Sequence, residues 1–400
     1  MASYKIHALG DPDPSVSSSE AHGLSNNGIV VGHASMMGFR AASWSPAPVV
    51  IPLGSVASVA YGVNDGGDVV GTRQASDVLV FPGEAFLFRG GVFHNLANVF
   101  PGEESIATDI NNAGVIAAWG GDIGSSHAFT YDVSSGTLTD LGVLPGHQES
   151  YAMAINTAGR VTGISRKSGS PSDSRAFLFD GAMHDLGAAT NANDLNDSGQ
   201  VVGGRVVDGA SNWTAYRCDT SSGSPQFVDL GPLPGFVSSE AMGINNDGDI
   251  VGHSVSNWGS GQQIHAFICP AGGQMQDLNA LVPANSGWEL TWASGINDKG
   301  EIAGTGMYNG RRQAYLLTPT SRFNPFDQAA IDPMALILGG KWYLIWVEMH
   351  HPHVPKLSDL DFVIRLMPAA ERRATLERAR RLGDFGKRVE TMIARLLGGT

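Results

Sequence analysis

Ten side chains with chemistry to offer stand in, or one step beyond, short loops that recur along this 400-residue chain. Glu240, His147, Glu149 and His22 are the acid–base candidates: a desolvated carboxyl beside an imidazole can move protons at neutral pH. Glu20, Tyr61, Glu104, Tyr151, Trp288 and Trp292 are the binding candidates, carboxylates to accept hydrogen bonds and aromatic faces to stack on a small polar or sugar-like ligand. The competing reading is that Pro-Gly loops simply turn the chain, with Glu and Ser keeping the rim soluble. His350, His351 and His353, near Glu348, are the densest set of metal-ligand types. Adjacent histidine side chains diverge, however, and no Cys or Asp pattern completes a site. A calcium-like stretch at 245–249 reads better as a hairpin turn, because its sister turns lack the oxygens. No metal or other cofactor is expected.

Something must hold these loops together, and the sequence names it. A twelve-residue phrase occurs seven times: AHGLSNNGIVVG at 21–32, AYGVNDGGDVVG at 60–71, ATDINNAGVIAA at 107–118, AMAINTAGRVTG at 152–163, ANDLNDSGQVVG at 192–203, AMGINNDGDIVG at 241–252 and ASGINDKGEIAG at 293–304. Asn-x-x-Gly between apolar, β-branched runs is hairpin chemistry, with Asn capping its own turn and tolerating the left-handed region, and Gly supplying a positive φ. A second phrase follows each first one, among them HAF at 127–129 and 265–267, EAF at 84–86, RAF at 175–177 and TAY at 214–216. A third is a short strand containing Asp-Leu, as at Asp140-Leu141, Asp185-Leu186 and Asp229-Leu230.

Four strands every 40–50 residues, repeated radially, predict a β-propeller blade. Seven phrases predict seven blades and an all-β fold over 1–320. The seventh unit lacks its Asp-Leu strand, whereas Tyr4-Lys5-Ile6-His7-Ala8-Leu9-Gly10 reads as a displaced copy of one. The N-terminal strand is therefore expected to complete the last blade and close the ring, hiding sheet edges. The loops entering each inner strand then share one face, where the ten candidates are expected to meet in a funnel. An open solenoid is the alternative.

HAF coupled to Ile-Asn-x-x-Gly-x-Val-x-Gly resembles the bacterial HAF repeat, found in proteins expected to be extracellular. The resemblance covers about 1–320 and implies a repeat fold; it carries no catalytic residues. Glu84, Arg175, Thr214 and Gln313 stand where the repeat has His, and Ala42 where it has an aromatic. The recurring histidines are expected to hydrogen-bond a neighbouring blade.

Composition excludes several classes. Glycine makes up 52 of 400 residues and charged residues only 16%, which excludes coiled coils and helical bundles. A net charge of −13 argues against a nucleic-acid binder, which needs clustered Lys and Arg. No run is long and apolar enough to span a bilayer. Two cysteines, Cys218 and Cys269, imply buried thiols rather than a disulfide framework. The N-terminus shows no signal-peptide pattern, so the chain as written reads as cytoplasmic, or extracellular had a leader been trimmed.

From residue 321 the repeat stops and the charge changes sign: 12 basic against 9 acidic residues. A hairpin around Gly339-Gly340 followed by amphipathic, Arg-rich helices is expected over 321–400, an α+β appendage that docks on the propeller or pairs with a second copy as a homodimer. The leading functional reading is a protein that recognises a small or peptidic ligand at the funnel. The alternative is an enzyme (lyase, hydrolase or cyclase) using funnel Glu and His beneath the appendage as a lid.

Overall fold

The computed structural model describes residues 4–320, apart from 11–15, 37, 45–47, 52–56, 75–82, 171–172, 189, 207–211, 222–223, 258 and 260. The expectations for 321–400, including His350, His351 and His353, lie outside the described residues. The described chain folds into seven four-stranded antiparallel sheets. Six consist of consecutive strands. The seventh joins Trp288–Ile296, Ile302–Tyr308 and Arg311–Pro319 to the N-terminal strand Tyr4–Ala8. In that sheet Ile6 lies opposite Leu317 and Ala8 opposite Tyr315. The fold is a seven-bladed β-propeller, and its ring is closed by pairing the first strand with the last.

The innermost strands, from Ser18–Leu24 in blade 1 to Trp288–Ile296 in blade 7, adjoin one another around a central channel. The core lies between blades, where apolar residues of one sheet meet those of the next. Phe86, Phe177, Tyr216, Phe267 and Tyr315, five of the six aromatics of the second phrase, are fully buried there, and Phe129 nearly so. Each contributes roughly 1.5–3 kcal/mol by leaving water. In blade 1, where Ala42 replaces the aromatic, Trp44 two residues on is buried instead and donates its indole N–H to the Gly10 carbonyl at 3.1 Å.

Two repeated devices set the blades side by side, and a third ties strands within a blade. First, a serine or threonine of each entering strand takes the backbone N–H of the second-phrase alanine in the preceding blade: Ala41 on Ser58, Ala85 on Ser105, Ala128 on Ser150, Ala176 on Thr190, Ala215 on Ser239 and Ala314 on Ser19. Among the described residues, only the seam from blade 6 to blade 7 lacks this bond, because Leu290 occupies the position.

Second, the Asn-x-x-Gly asparagines form a belt. Each donates its amide to the backbone carbonyl of its counterpart in the next blade: Asn64 to Asn111, Asn111 to Asn156, Asn156 to Asn196, Asn196 to Asn245, Asn245 to Asn297 and Asn297 to Ser25. The same side chains cap their own turns, as Asn64 Oδ1 does by accepting from Asp68 N–H at 2.9 Å. The asparagines do not enter the left-handed region, contrary to the sequence reading. The glycine alone supplies it (φ 80° at Gly67), so the turn is a type I turn closed by a left-handed glycine.

Third, the HAF histidines pair inside their own blade, which corrects the expectation of a neighbouring-blade partner. His127 Nδ1 lies 2.9 Å from Asp140 and His265 Nδ1 2.7 Å from Asp277. The Asp-Leu strand runs antiparallel beside the HAF strand, placing its carboxylate across from the imidazole. Arg175, which replaces the histidine in blade 4, meets Asp185 in the same way at 2.7 Å. Cys218 and Cys269 are both buried and free.

Candidate functional site

Every innermost strand carries a one-residue bulge at the same place in the phrase. The register shifts between Ala21 and Gly23, Ala60 and Gly62, Ala107 and Asp109, Ala152 and Ala154, Ala192 and Asp194, Ala241 and Gly243, and Ala293 and Gly295. A bulge drops one residue from the ladder and re-aims its side chain. The seven skipped residues are His22, Tyr61, Thr108, Met153, Asn193, Met242 and Ser294, and all seven line one cavity of about 550 Å³ at a mouth of the channel. In four blades a glycine follows, and it lets neighbouring inner strands approach: a Cβ on Gly62 would lie 2.6 Å from Asp109 Cα.

The polar groups of this mouth concentrate where blades 5, 6, 7, 1 and 2 meet. Glu20 lies opposite His33 in the blade 1 ladder, and Arg312 Nε of blade 7 sits 3.0 Å from Glu20 Oε1. His22 Nε2 and His33 Nδ1 are 3.0 Å apart, and the rings stack at 5.3 Å. Blade 6 repeats the pattern with Glu240 opposite His253. There Asn193 donates to Glu240 Oε1 at 2.9 Å, and His253 packs on Trp292 with ring centroids 3.8 Å apart. Burial pulls His22 down to about 4, assisted by Arg312, and His253 to about 4. Burial, with His22 and Arg312, takes His33 to about 3. All three imidazoles are therefore neutral at pH 7, able to act as hydrogen-bond partners or metal ligands but carrying no charge.

Of the sequence candidates, Glu20, His22, Tyr61 and Trp292 line the mouth. Glu240 stands beside it through Asn193. The other five are placed elsewhere. His147 is buried against Ser165 Oγ at 3.0 Å and lines a lateral groove between the outer strands of blades 4 and 5. Glu149 is buried in an ion pair with Arg166 at 2.6 Å, and the same guanidinium bonds the Tyr151 hydroxyl at 2.8 Å. Trp288 stacks on Tyr308 in the blade 7 core cluster. Glu104 is half-buried at the start of its strand, its carboxyl pushed above the ordinary range by burial. The lateral groove is larger, about 700 Å³, but its charges neutralise one another: Lys167 pairs with Asp173 and Arg175 with Asp185. The mouth is the better site, because its polar groups point inward.

Sequence reasoning missed His33, His253, Arg312, Asn193 and Trp119. His33 and His253 lie on second strands, one residue beyond the repeated phrase, where a Glu in the loop and a His thirteen residues later would have been the signal.

Two further carboxylates enter the channel below the mouth. Asp109 accepts from Ile110 and Ile155 N–H, and Asp194 from Leu195 and Ile244 N–H, each thereby spanning to the next blade. Burial raises Asp109 to about 6 and Asp194 to about 7, the latter also through repulsion from Asp109. A carboxyl raised in the folded state stabilises the fold fully below its unfolded pKa, near 4, and that stabilisation is lost as pH rises through the folded value. Both keep some contact with the channel, so the window is what can be tested. Thermal stability is expected to fall between pH 4 and 7, and the fall to be smaller in an Asp109→Ala/Asp194→Ala variant, since blade 4 already carries Ala154 at this position. Identical slopes by scanning calorimetry would refute the assignment.

No family model matches the chain, and no curated protein matches it. Among solved structures, one of a prolyl endopeptidase is similar over 78% of this chain and 50% of its own, at 14% identity and TM-score 0.53. This chain thus spans half the length of that endopeptidase. The β-propeller domain of the trilobed protease from Pyrococcus furiosus matches over 68% of this chain and 81% of its own, at 13% identity and TM-score 0.43. A gluconolactonase from Xanthomonas campestris matches over 79% and 90%, at 10% identity and TM-score 0.41. At these identities the likeness is one of fold, the β-propeller, and it transfers no functional residue to this chain.

Proposed function

We propose that the propeller binds a small polar molecule in the cavity at the channel mouth. The observation that carries this reading is the convergence of all seven bulge residues on one cavity of about 550 Å³. That volume is the size of a small-molecule site and too small for a folded partner. Trp119, Trp292 and Tyr61 offer faces for stacking, while Arg312, Glu20 and Asn193 offer a cation, an anion and an amide to orient a hydroxylated or carboxylate-bearing ligand. Among the described residues no helix is long and apolar enough to cross a membrane.

A library of sugars, hydroxy acids and amino acids, screened by tryptophan fluorescence and thermal shift in the presence of EDTA, tests the reading. A ligand found this way is expected to bind at least tenfold more weakly to Trp292→Ala and Arg312→Ala, and unchanged to His184→Ala in the lateral groove. Equal loss in the groove variant, or no ligand from any class, counts against the mouth. The enzymatic alternative, a lyase, hydrolase or cyclase, draws on Glu20, His22 and His33, whose side chains lie close enough together for acid–base work. Turnover of a bound ligand, abolished by His22→Gln with binding retained, would select it. Kinship with HAF-repeat proteins is part of the same proposal and rests on the phrase alone.

A further inference from the structure

Either tautomer of the His22–His33 pair leaves a buried nitrogen without a partner. If His22 Nε2 donates to His33 Nδ1, then His33 Nε2 carries a proton with no acceptor in reach; if His33 donates, Nε2 is a bare lone pair. The structure bears this out: His33 is 6% exposed, and its Nε2 makes no hydrogen bond. The nearest carboxylate oxygen, Glu20 Oε1, is 3.9 Å away. Leaving such an atom unmet is costly, so an orphan of this kind calls for an explanation.

We propose that Glu20, His22 and His33 hold a divalent transition metal of the zinc type at the edge of the channel mouth. One ligating atom from each lies within 4.8 Å of the other two. Metal bonds of about 2.0–2.1 Å to nitrogen and oxygen place tetrahedral ligands roughly 3.3–3.5 Å apart. The 3.9 Å between His33 Nε2 and Glu20 therefore needs only a few tenths of an ångström of closure, and His22 must exchange its bond to His33 for the metal. Two imidazoles and one carboxylate suit zinc or its neighbours rather than calcium or magnesium, which favour oxygen alone. The sheet pre-positions the set: Glu20 and His33 are cross-strand partners, and the bulge turns His22 toward the cavity. Arg312, already on Glu20, orients that carboxylate.

Blade 6 is an internal contrast. Its His253 Nδ1 is likewise buried without a hydrogen bond and Glu240 lies opposite, but Met242 occupies the bulge position and Asn193 takes the carboxylate, so the third nitrogen or oxygen ligand that His22 gives blade 1 is missing. The fourth position of the blade 1 site faces the cavity, where it would take water or a ligand oxygen. The metal site does not depend on the organic-ligand reading.

The test is titration of the full chain, stripped with EDTA and desalted, with Zn²⁺ by calorimetry and Co²⁺ by visible absorption. One equivalent is expected to bind, with tetrahedral Co²⁺ bands. His33→Gln and His22→Gln should each weaken it at least tenfold with unchanged circular dichroism. A chain carrying His350→Gln, His351→Gln and His353→Gln should retain it. Absence of a stoichiometric site, or one that survives both His33→Gln and the cavity-facing His22→Gln, overturns the proposal. Loss of organic-ligand binding in the EDTA screen, with zinc binding intact, would sink only the ligand reading.

Discussion

Deleting residues 1–9 is expected to abolish cooperative unfolding of the propeller at its normal temperature. The N-terminal strand contributes five antiparallel pairings, from Tyr4 against Pro319 to Ala8 against Tyr315. Tyr4 is 5% exposed within the blade 7 core, and its N–H also reaches the Leu281 carbonyl at 2.8 Å. Burial of that ring contributes roughly 1.5–3 kcal/mol. With about 1 kcal/mol for each of a few backbone hydrogen bonds, the loss amounts to some 4 kcal/mol or more, a large share of a typical domain's stability. The deletion also uncovers the edge of Arg311–Pro319, which carries apolar Leu316 and Leu317, and such edges recruit other chains. Calorimetry should show a broadened, lowered transition, and light scattering should show concentration-dependent association. A synthetic peptide of residues 1–10 should restore part of the lost stability. An unchanged transition in the truncated protein would show that the ring does not depend on this strand.

Opposite effects are expected from two substitutions in the asparagine belt. Asn111→Ala removes a donor to the Asn156 carbonyl at 3.1 Å and an acceptor for Ala113 and Val115 N–H at 3.1 and 3.0 Å. Asn111 is 6% exposed, so the groups left behind have little water to turn to, and a destabilisation of about 2–4 kcal/mol follows. Ser25 is the one break in the belt: its hydroxyl accepts from Ile29 N–H at 3.1 Å but is too short to reach blade 2. The turn around it is otherwise the same, with Gly28 at φ 78°. Ser25→Asn should keep the cap and add the missing bond to the Asn64 carbonyl, raising stability by about 1 kcal/mol. Urea denaturation of the two variants decides the matter; matching signs would mean the belt is incidental to stability.

The architecture was largely written in the repeat. Seven phrases, the Asn-x-x-Gly turns and the displaced Tyr4-to-Gly10 copy each correspond to a physical requirement: strand alternation, a positive φ and a covered edge. The site was less legible, for a definite reason. Loop position alone points to His147, Glu149 and Trp288 as readily as to Glu20 and Trp292, yet side-chain partners decide direction, and Ser165, Arg166 and Tyr308 hold the first three away from the mouth. The bulge is what turns side chains into the cavity. A sequence shows it only as the second letter of each phrase, the one that varies freely (His, Tyr, Thr, Met, Asn, Met, Ser) between an alanine and a residue that is usually small. The HAF histidines do not reach a neighbouring blade because their partner, the Asp-Leu aspartate, lies only a strand away in the same sheet.

The bulge residues take no part in the pairing that builds the blades, and so the frame and its lining are separable inheritances. A change at Met153 or Met242 alters the lining of the central opening without asking any sheet to refold. Such a scaffold works like a seven-wheeled lock: each wheel can be turned alone, and the casing stays shut.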